Sequence, residues 1–444
     1  MTETNPLIHQ AHLLDFAAIR AEHVSPALDV LLKDAADALK KATDPATAAD
    51  WQHVIDPLDA ALEKLSRAWG AVGHLMGVMD SPELRDAFNG NLPRMTQFYI
   101  DLSQNEALYG KYKAIAAGAG YAALSAQKKR LLEHEMRDFR LSGADLPADK
   151  KTELKACGEK AAALSQKFSE NLLDATNAWT LDITDEKELE GIPSGDKALM
   201  AQTAKAAGVD GWRITLQYPI YLPVMKYAAN RTLRETVYRA FVTRASEFGP
   251  KEKDNGPVIQ QLLELRQKEA ELLGFKNFAE VSLATKMAET PAEVIHFLRD
   301  LAARAKPWAQ KDETELEAYA REKLALTDMQ PWDQAWASEK LREERYSFSD
   351  EEVKQYFTLP AVFKGLFGLV ERLFDIRITP DTAPVWHKDV RFWRISDAKG
   401  NLIAQFYTDL FARASKRGGA WMDNDLTACT LPDGTHRTPT AYLV

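Results

Sequence analysis

Histidine and carboxylate side chains supply most general bases and zinc ligands, so the places where they cluster bound the chemistry open to this chain. The nine histidines are mostly isolated. His9, His12 and His23 fall in a polar N-terminal stretch, and His53, His74 and His296 stand singly within helical patterns, where surface or capping positions suit them. His134-Glu135 opens the pattern H-E-x-x-H, in which two histidines four apart hold one metal and the glutamate activates its water. The position four after His134 is Asp138, and no further donor follows nearby, so Glu133, Glu135 and Asp138 read as a charged solvent face. His387 sits in Trp386-His387-Lys388-Asp389-Val390, where the neighbouring acid makes a general base a minor reading. No G-x-S-x-G, P-loop or G-x-G-x-x-G string occurs, so the common hydrolase and nucleotide signatures are absent.

Composition narrows the classes further. The 444 residues are 45% hydrophobic and 27% charged, enough for two or three domains with sizeable cores. No apolar stretch reaches bilayer length, and Met1-Thr2-Glu3-Thr4-Asn5-Pro6 lacks the basic and apolar regions of a secretory signal. The expected location is the cytoplasm, with no membrane partner. The 56 basic and 65 acidic residues give a formal charge of -9, which argues against nucleic acid as a partner. Cys157 and Cys429, far apart in sequence, are expected to be free thiols.

The elements that must position any site are mainly helical. Trp51, Val54, Ile55, Leu58, Leu62, Leu65 and Trp69 fall on one helix stripe, and Leu154, Cys157, Ala161, Leu164, Phe168 and Leu172 make another. Ser81-Pro82-Glu83 reads as an N-cap with proline at the first helical position. Two strands, 178–183 and 211–217, are expected to pair around a Gly191-Ile192-Pro193-Ser194-Gly195 loop and a helix over 196–207. Helical patterns resume at Val224 and run to Phe374. After Thr379-Pro380 the texture becomes β: 390–395 and 402–407 flank the turn Asp397-Ala398-Lys399-Gly400-Asn401. A second hairpin is expected between 426–430 and 440–444 around Pro432-Asp433-Gly434-Thr435. The expectation is a mainly α, irregular helical assembly with a small antiparallel sheet near the C-terminus. It divides into helical regions 1–150 and 151–380, the second holding a β-pair near 178–217, and a sheet-forming region 381–444.

The most specific pattern is WHKDVRFWRISDAKGNLIAQFYTDLFARASKRGGAWMD, residues 386–423, with its Gly418-Gly419-Ala420-Trp421 block. It resembles the segment ahead of the zinc helix in the thimet oligopeptidase family of metallopeptidases, and is most similar to the bacterial oligopeptidase A branch. Further matches follow in the family's order. They are Phe16 to Ala27 with Glu22-His23-Val24, Pro219 to Met225, Asn230-Arg231 through Tyr238, Phe241 and Arg244, and Leu272-Leu273-Gly274-Phe275. The resemblance therefore covers essentially the whole chain. Phe411-Ala412-Arg413-Ala414-Ser415 departs from it, where many relatives carry Tyr-Pro-Arg and a glycine.

The resemblance implies a cytoplasmic zinc endopeptidase that cleaves short peptides in a deep channel between two largely helical lobes. It also implies that zinc and its general base come from an H-E-x-x-H helix and a downstream glutamate. Neither occurs in these residues, so no catalytic residue and no metal ligand is assigned. By analogy with similar zinc peptidases, the strand before the metal helix would align substrate through backbone hydrogen bonds. That makes Thr440, Ala441 and Tyr442 the candidate substrate-binding residues, with a plain sheet edge as the competing reading. The sequence closes inside the apolar run Ala441-Tyr442-Leu443-Val444. The expectation is an incomplete two-lobed fold whose zinc helix follows shortly afterwards, inactive by itself. The alternative is a non-catalytic helical protein that binds peptides or serves as a scaffold.

Overall fold

A computed structural model describes residues 5–431 and 433–444. The first six helices are α1 (Ala21–Thr43), α2 (Asp56–Val78), α3 (Pro82–Ser103), α4 (Glu106–Ala117), α5 (Ala126–Leu141) and α6 (Ala148–Ala178). A hairpin of β1 (Thr180–Ile183) and β2 (Trp212–Thr215) encloses α7 (Ser194–Ala206). Next come α8 (Tyr218–Tyr227), α9 (Arg231–Val242), α10 (Gly256–Leu272), α11 (Phe278–Leu283) and α12 (Pro291–Lys323). The helical part closes with α13 (Pro331–Tyr346), α14 (Asp350–Lys354) and α15 (Leu359–Phe374). The strands are β3 (Ile376–Asp381), β4 (Arg391–Asp397), β5 (Leu402–Thr408), β6 (Met422–Leu426), β7 (Cys429–Thr430), β8 (His436–Arg437) and β9 (Thr440–Leu443). The mainly helical class with a small C-terminal sheet is the one the sequence implies.

The chain folds as two compact units. One holds the described residues of Met1–Ser165 together with Glu264–Phe278 and Phe367–Val444; the other holds Gln166–Leu263 and Ala279–Leu366. In the first unit the Trp51–Trp69 stripe does turn inward, with Val54, Ile55, Leu58 and Leu65 buried. Its opening turn is a π-helix over Trp51–Ile55, capped by the Asp50 carboxylate, which accepts from the His53 amide at 2.9 Å. Pro57 has no amide hydrogen to donate, so the α-ladder restarts there and the wider turn precedes it. Ser81 caps α3 as its sequence implies, accepting from the Leu84 amide at 3.2 Å.

The C-terminal sheet has the order β3-β4-β5-β9-β6. The β4–β5 hairpin forms as expected, pairing Phe392 with Tyr407. The second hairpin differs from expectation. β7 and β8 make a separate short hairpin, with Cys429 opposite Arg437, while β9 runs parallel to β5 and antiparallel to β6. Of that expected turn, Pro432 lies outside the described residues. The sheet is therefore mixed rather than wholly antiparallel. Composition explains the exchange: Tyr442 and Val444 need burial, whereas Met422-Asp423-Asn424-Asp425 is polar and suits an edge. β3, which no sequence pattern announces, contains Pro380 and occupies the other edge, where a missing amide hydrogen is tolerated.

In the second unit β1 and β2 pair as expected, Thr180 opposite Thr215 and Ile183 opposite Trp212. Their core takes in Leu189, Met200, Ile220, Val224, Leu233 and Val237. Asp333 at the start of α13 is fully buried and receives Arg234 at 2.7 Å and Arg231 at 2.7 Å, tying α9 to α13.

Candidate functional site

The residues singled out for substrate alignment stand on β9, which lies inside the sheet. Thr440 opposes Gln405 and Tyr442 opposes Tyr407 on the β5 side, while Asn424 opposes Ala441 and Asp423 opposes Tyr442 on the β6 side. Both edges of β9 are thus occupied, and the edge left open beside it belongs to β6. At the mouth of this ladder, the Trp421 amide donates to the Val444 carbonyl and the Val444 amide to the Trp421 carbonyl, each at 2.9 Å. In an antiparallel pair the hydrogen-bonded positions alternate, so Trp421 and Asp423 turn their backbone groups toward β9 and Met422 turns its groups outward. Met422 is 72% exposed.

One face of the sheet is closed by aromatic packing. Tyr442 stacks on His74 of α2 with ring centroids 4.0 Å apart, and Phe16, Trp386 and Tyr407 meet Tyr442 edge-on or tilted. Burial pushes the Tyr442 phenol upward, with Asp425 and Tyr407 adding to the effect. Burial likewise pushes the His74 imidazole down to about 3, while Asp409 opposes and Arg413 and Lys416 assist. His74 is therefore a neutral core residue, not a base. Its Nε2, the Tyr407 hydroxyl and the Thr440 hydroxyl are buried without hydrogen-bond partners among the described residues. The other face carries Phe367 of α15, which meets Trp393 edge-on at 4.8 Å and Phe406 at 6.2 Å.

The specific 386–423 pattern turns out to fix the end of β9. Asp409 is fully buried and accepts from the Trp386 indole at 2.9 Å and from Arg413 at 2.6 and 2.8 Å. Its amide donates to the Leu443 carbonyl at 2.9 Å. Burial opposes its charge, yet the hydrogen bonds from Arg413 and Trp386 hold the Asp409 carboxyl below the usual range. Arg413 also donates to the Val78 carbonyl, and the Arg417 amide donates to the Gly77 carbonyl, so the loop docks on the end of α2. Arg417 lies over the Trp421 ring at 4.4 Å. Arg413, inside the Phe411-Ala412-Arg413-Ala414-Ser415 stretch that departs from the resemblance, keeps this buried contact.

β6 is anchored from α2. Arg67 binds Asp425 through two nitrogens at 2.6 and 2.8 Å, with the side chains 7% and 3% exposed, and also donates to the Ala11 and His12 carbonyls. The ladder shifts register between Asn424 and Leu426, and this bulge turns the Asp425 carboxylate toward α2. Sequence reading missed Arg67, Asp409 and Asp425. Only their pairing across the fold distinguishes them from other charges.

Other candidates do not converge. His387 lies 3.5 Å from Asp389 and, among the described residues, pairs with no other acid. Asp138 is engaged by Arg137 at 2.7 Å, and the buried Nε2 of His134 has no partner among the described residues. Among the described residues no three His, Cys, Asp or Glu side chains come together as a metal-binding group. The donor set for zinc is therefore not met by these residues.

Residues 224–444 match the family described as Peptidase family M3, and residues 28–151 match the Neurolysin/Thimet oligopeptidase N-terminal domain. Oligopeptidase A of Salmonella typhimurium is 41% identical over 443 residues, covering 99% of this chain and 65% of that protein. Oligopeptidase A of Haemophilus influenzae is 40% identical, covering 100% and 65%. Dipeptidyl carboxypeptidase of Escherichia coli is 31% identical, covering 100% and 66%. The chain thus spans about 65% of the length of the first two relatives. A structure of PZ peptidase A with an inhibitor superposes with a TM-score of 0.51 at 15% identity, covering 96% of this chain and 60% of that one, a likeness of fold.

Proposed function

This chain belongs to peptidase family M3, and on that premise we propose that it supplies the peptide-handling scaffold of a zinc-dependent oligopeptidase acting on short peptides. The observation that carries the reading is the open edge of β6 beside an interior β9. An extended peptide adds to such an edge through main-chain hydrogen bonds, which recognise any sequence and demand an unfolded substrate. Thr440, Ala441 and Tyr442 act one strand back: their ladder and the buried Tyr442 ring hold the start of β6 in place while Met422 offers its backbone groups to the peptide.

Zinc is implied by the family, but the described residues do not provide its ligands, and no H-E-x-x-H string occurs in the sequence. When bound, such a metal polarises the scissile carbonyl and activates water. The residues of this chain hold and orient peptide, and we propose that they do not hydrolyse it by themselves. A cytoplasmic site of action belongs to the same proposal. Among the described residues, no helix is long and apolar enough to cross a membrane.

Fluorescence anisotropy of a labelled, unstructured short peptide tests this, with mass spectrometry of the same mixture for cleavage. Wild-type chain binds the peptide without cleaving it. Met422→Pro removes an outward amide and leaves the ladder to β9 intact, so binding weakens about tenfold for about 1–1.5 kcal/mol of lost hydrogen bond. Unchanged binding in a folded Met422→Pro variant refutes the edge-strand reading, and chelator-sensitive cleavage by the pure chain refutes the claim of inactivity. A non-catalytic peptide-binding role predicts the same binding, and is favoured if added zinc and added family catalytic segments never produce turnover.

A further inference from the structure

The open edge of β6 presents few free backbone groups. Met422 turns its amide and carbonyl outward. The next outward amide, that of Asn424, donates to the Asp423 carboxylate at 2.8 Å, and the bulge between Asn424 and Leu426 ends the regular ladder. So short a ladder accepts any residue and fixes neither the direction nor the register of an added strand. Side chains along the edge must do that.

Two of those side chains are charged and exposed. Asp423 lies opposite Tyr442, and Trp421, two residues earlier, shares its face of the sheet. The Arg417 guanidinium covers the Trp421 ring at 4.4 Å, and the Arg417 amide is held by the Gly77 carbonyl. An acid and a base therefore stand on one face of the edge, separated by the two-residue step of about 6.8 Å along the strand. Neither has an ion-pair partner among the described residues. The charges around them are engaged elsewhere: Arg67 pairs with Asp425, and Arg413 and Lys416 turn to Asp409.

Directly opposite residues of an antiparallel pair share a face, and antiparallel pairing is the stronger ladder. A peptide added antiparallel to β6 thus brings one residue beside Asp423 and, two residues later in its own sequence, another beside Trp421 and Arg417. The residue between them falls on the face of Met422, which suits an apolar side chain. We propose that Asp423 and Arg417 are the specificity-determining residues of this edge: they select peptides that carry a basic residue, an apolar residue and an acidic residue in that order, bound antiparallel to β6. This rests on the reading of β6 as the peptide-adding edge.

Fluorescence anisotropy with three labelled peptides of identical composition tests it. All are capped at both ends and differ only in a central Lys-Leu-Glu, Glu-Leu-Lys or Leu-Lys-Glu within the same glycine-serine flanks. In the reversed peptide the charges meet like charges in an antiparallel register, and in the third they fall on opposite faces. At low salt the full 444-residue chain binds the Lys-Leu-Glu peptide about fivefold more tightly than either control, the range of two exposed ion pairs, and the lead shrinks as salt is added. The Asp423→Asn/Arg417→Gln variant, which keeps an acceptor oxygen for the Asn424 amide, binds all three alike, with circular dichroism confirming its fold. Loss of the lead over either control, or a lead that survives in the double variant, overturns the inference. If Met422→Pro still weakens all three peptides equally, the edge reading stands without it. If no peptide binds, or if Met422→Pro leaves all binding unchanged, the edge reading and this inference fall together.

Discussion

His74 gives a prediction whose size follows directly from its surroundings. The side chain is 6% exposed, stacked on Tyr442 and in edge contact with Trp386, and its Nε2 has no partner among the described residues. Burial holds the folded pKa at about 3, against an ordinary value of 6.5 in the unfolded chain. The unfolded state therefore binds more protons between those values, and stability falls as pH drops below 6.5. At one pKa unit per about 1.36 kcal/mol, lowering the pH from 7 to 5 removes about 2 kcal/mol through this group alone. His74→Phe keeps a ring against Tyr442 and cannot take up the proton. Urea unfolding at pH 7 and pH 5, followed by tryptophan fluorescence, measures both proteins. Asp409, Arg413 and Lys416 face His74 in both, so their titration cancels in the comparison. The variant loses about 2 kcal/mol less than the wild type between the two pH values. Equal losses in the two proteins would refute the reasoning that a neutral, buried imidazole backs the candidate strand.

Two further perturbations test the second unit. Asp333→Asn keeps the shape but leaves the Arg234 guanidinium, 1% exposed, without its counter-charge. Denaturant unfolding should show a loss of about 3–5 kcal/mol, and an additional Arg234→Met should recover part of it. Gly211 has φ +88° and a Cβ there would sit 2.2 Å from the Ile183 carbonyl oxygen. Gly211→Ala should therefore cost at least about 1–3 kcal/mol and detach the β1–β2 pair, read as faster amide exchange at Ile183 and Ile214.

Local chemistry made much of the fold legible. The Ser81 cap, the Trp51–Trp69 stripe, the β1–β2 pair and the β4–β5 hairpin each depend on residues close in sequence, and each forms where the pattern puts it. β3 escaped notice because Pro380 argues against a strand until an edge position makes it harmless. The specific 386–423 pattern was visible as a resemblance. Its physical work, an Asp409 buried among Arg413, Lys416 and Trp386 at the end of β9, was not.

The amino-acid sequence by itself determined the helical character, the β-rich C-terminal part and family membership, because periodicity, turn residues and motif order are written along one dimension. Only the tertiary structure decided that β9 enters between β5 and β6. That choice rests on which strand needs burial on both faces and which can stand at an edge. It likewise decided that His74 is a neutral core ring and that Glu135, read as part of a solvent face, is half-buried, since burial and the field of distant charges exist only once the chain has closed on itself.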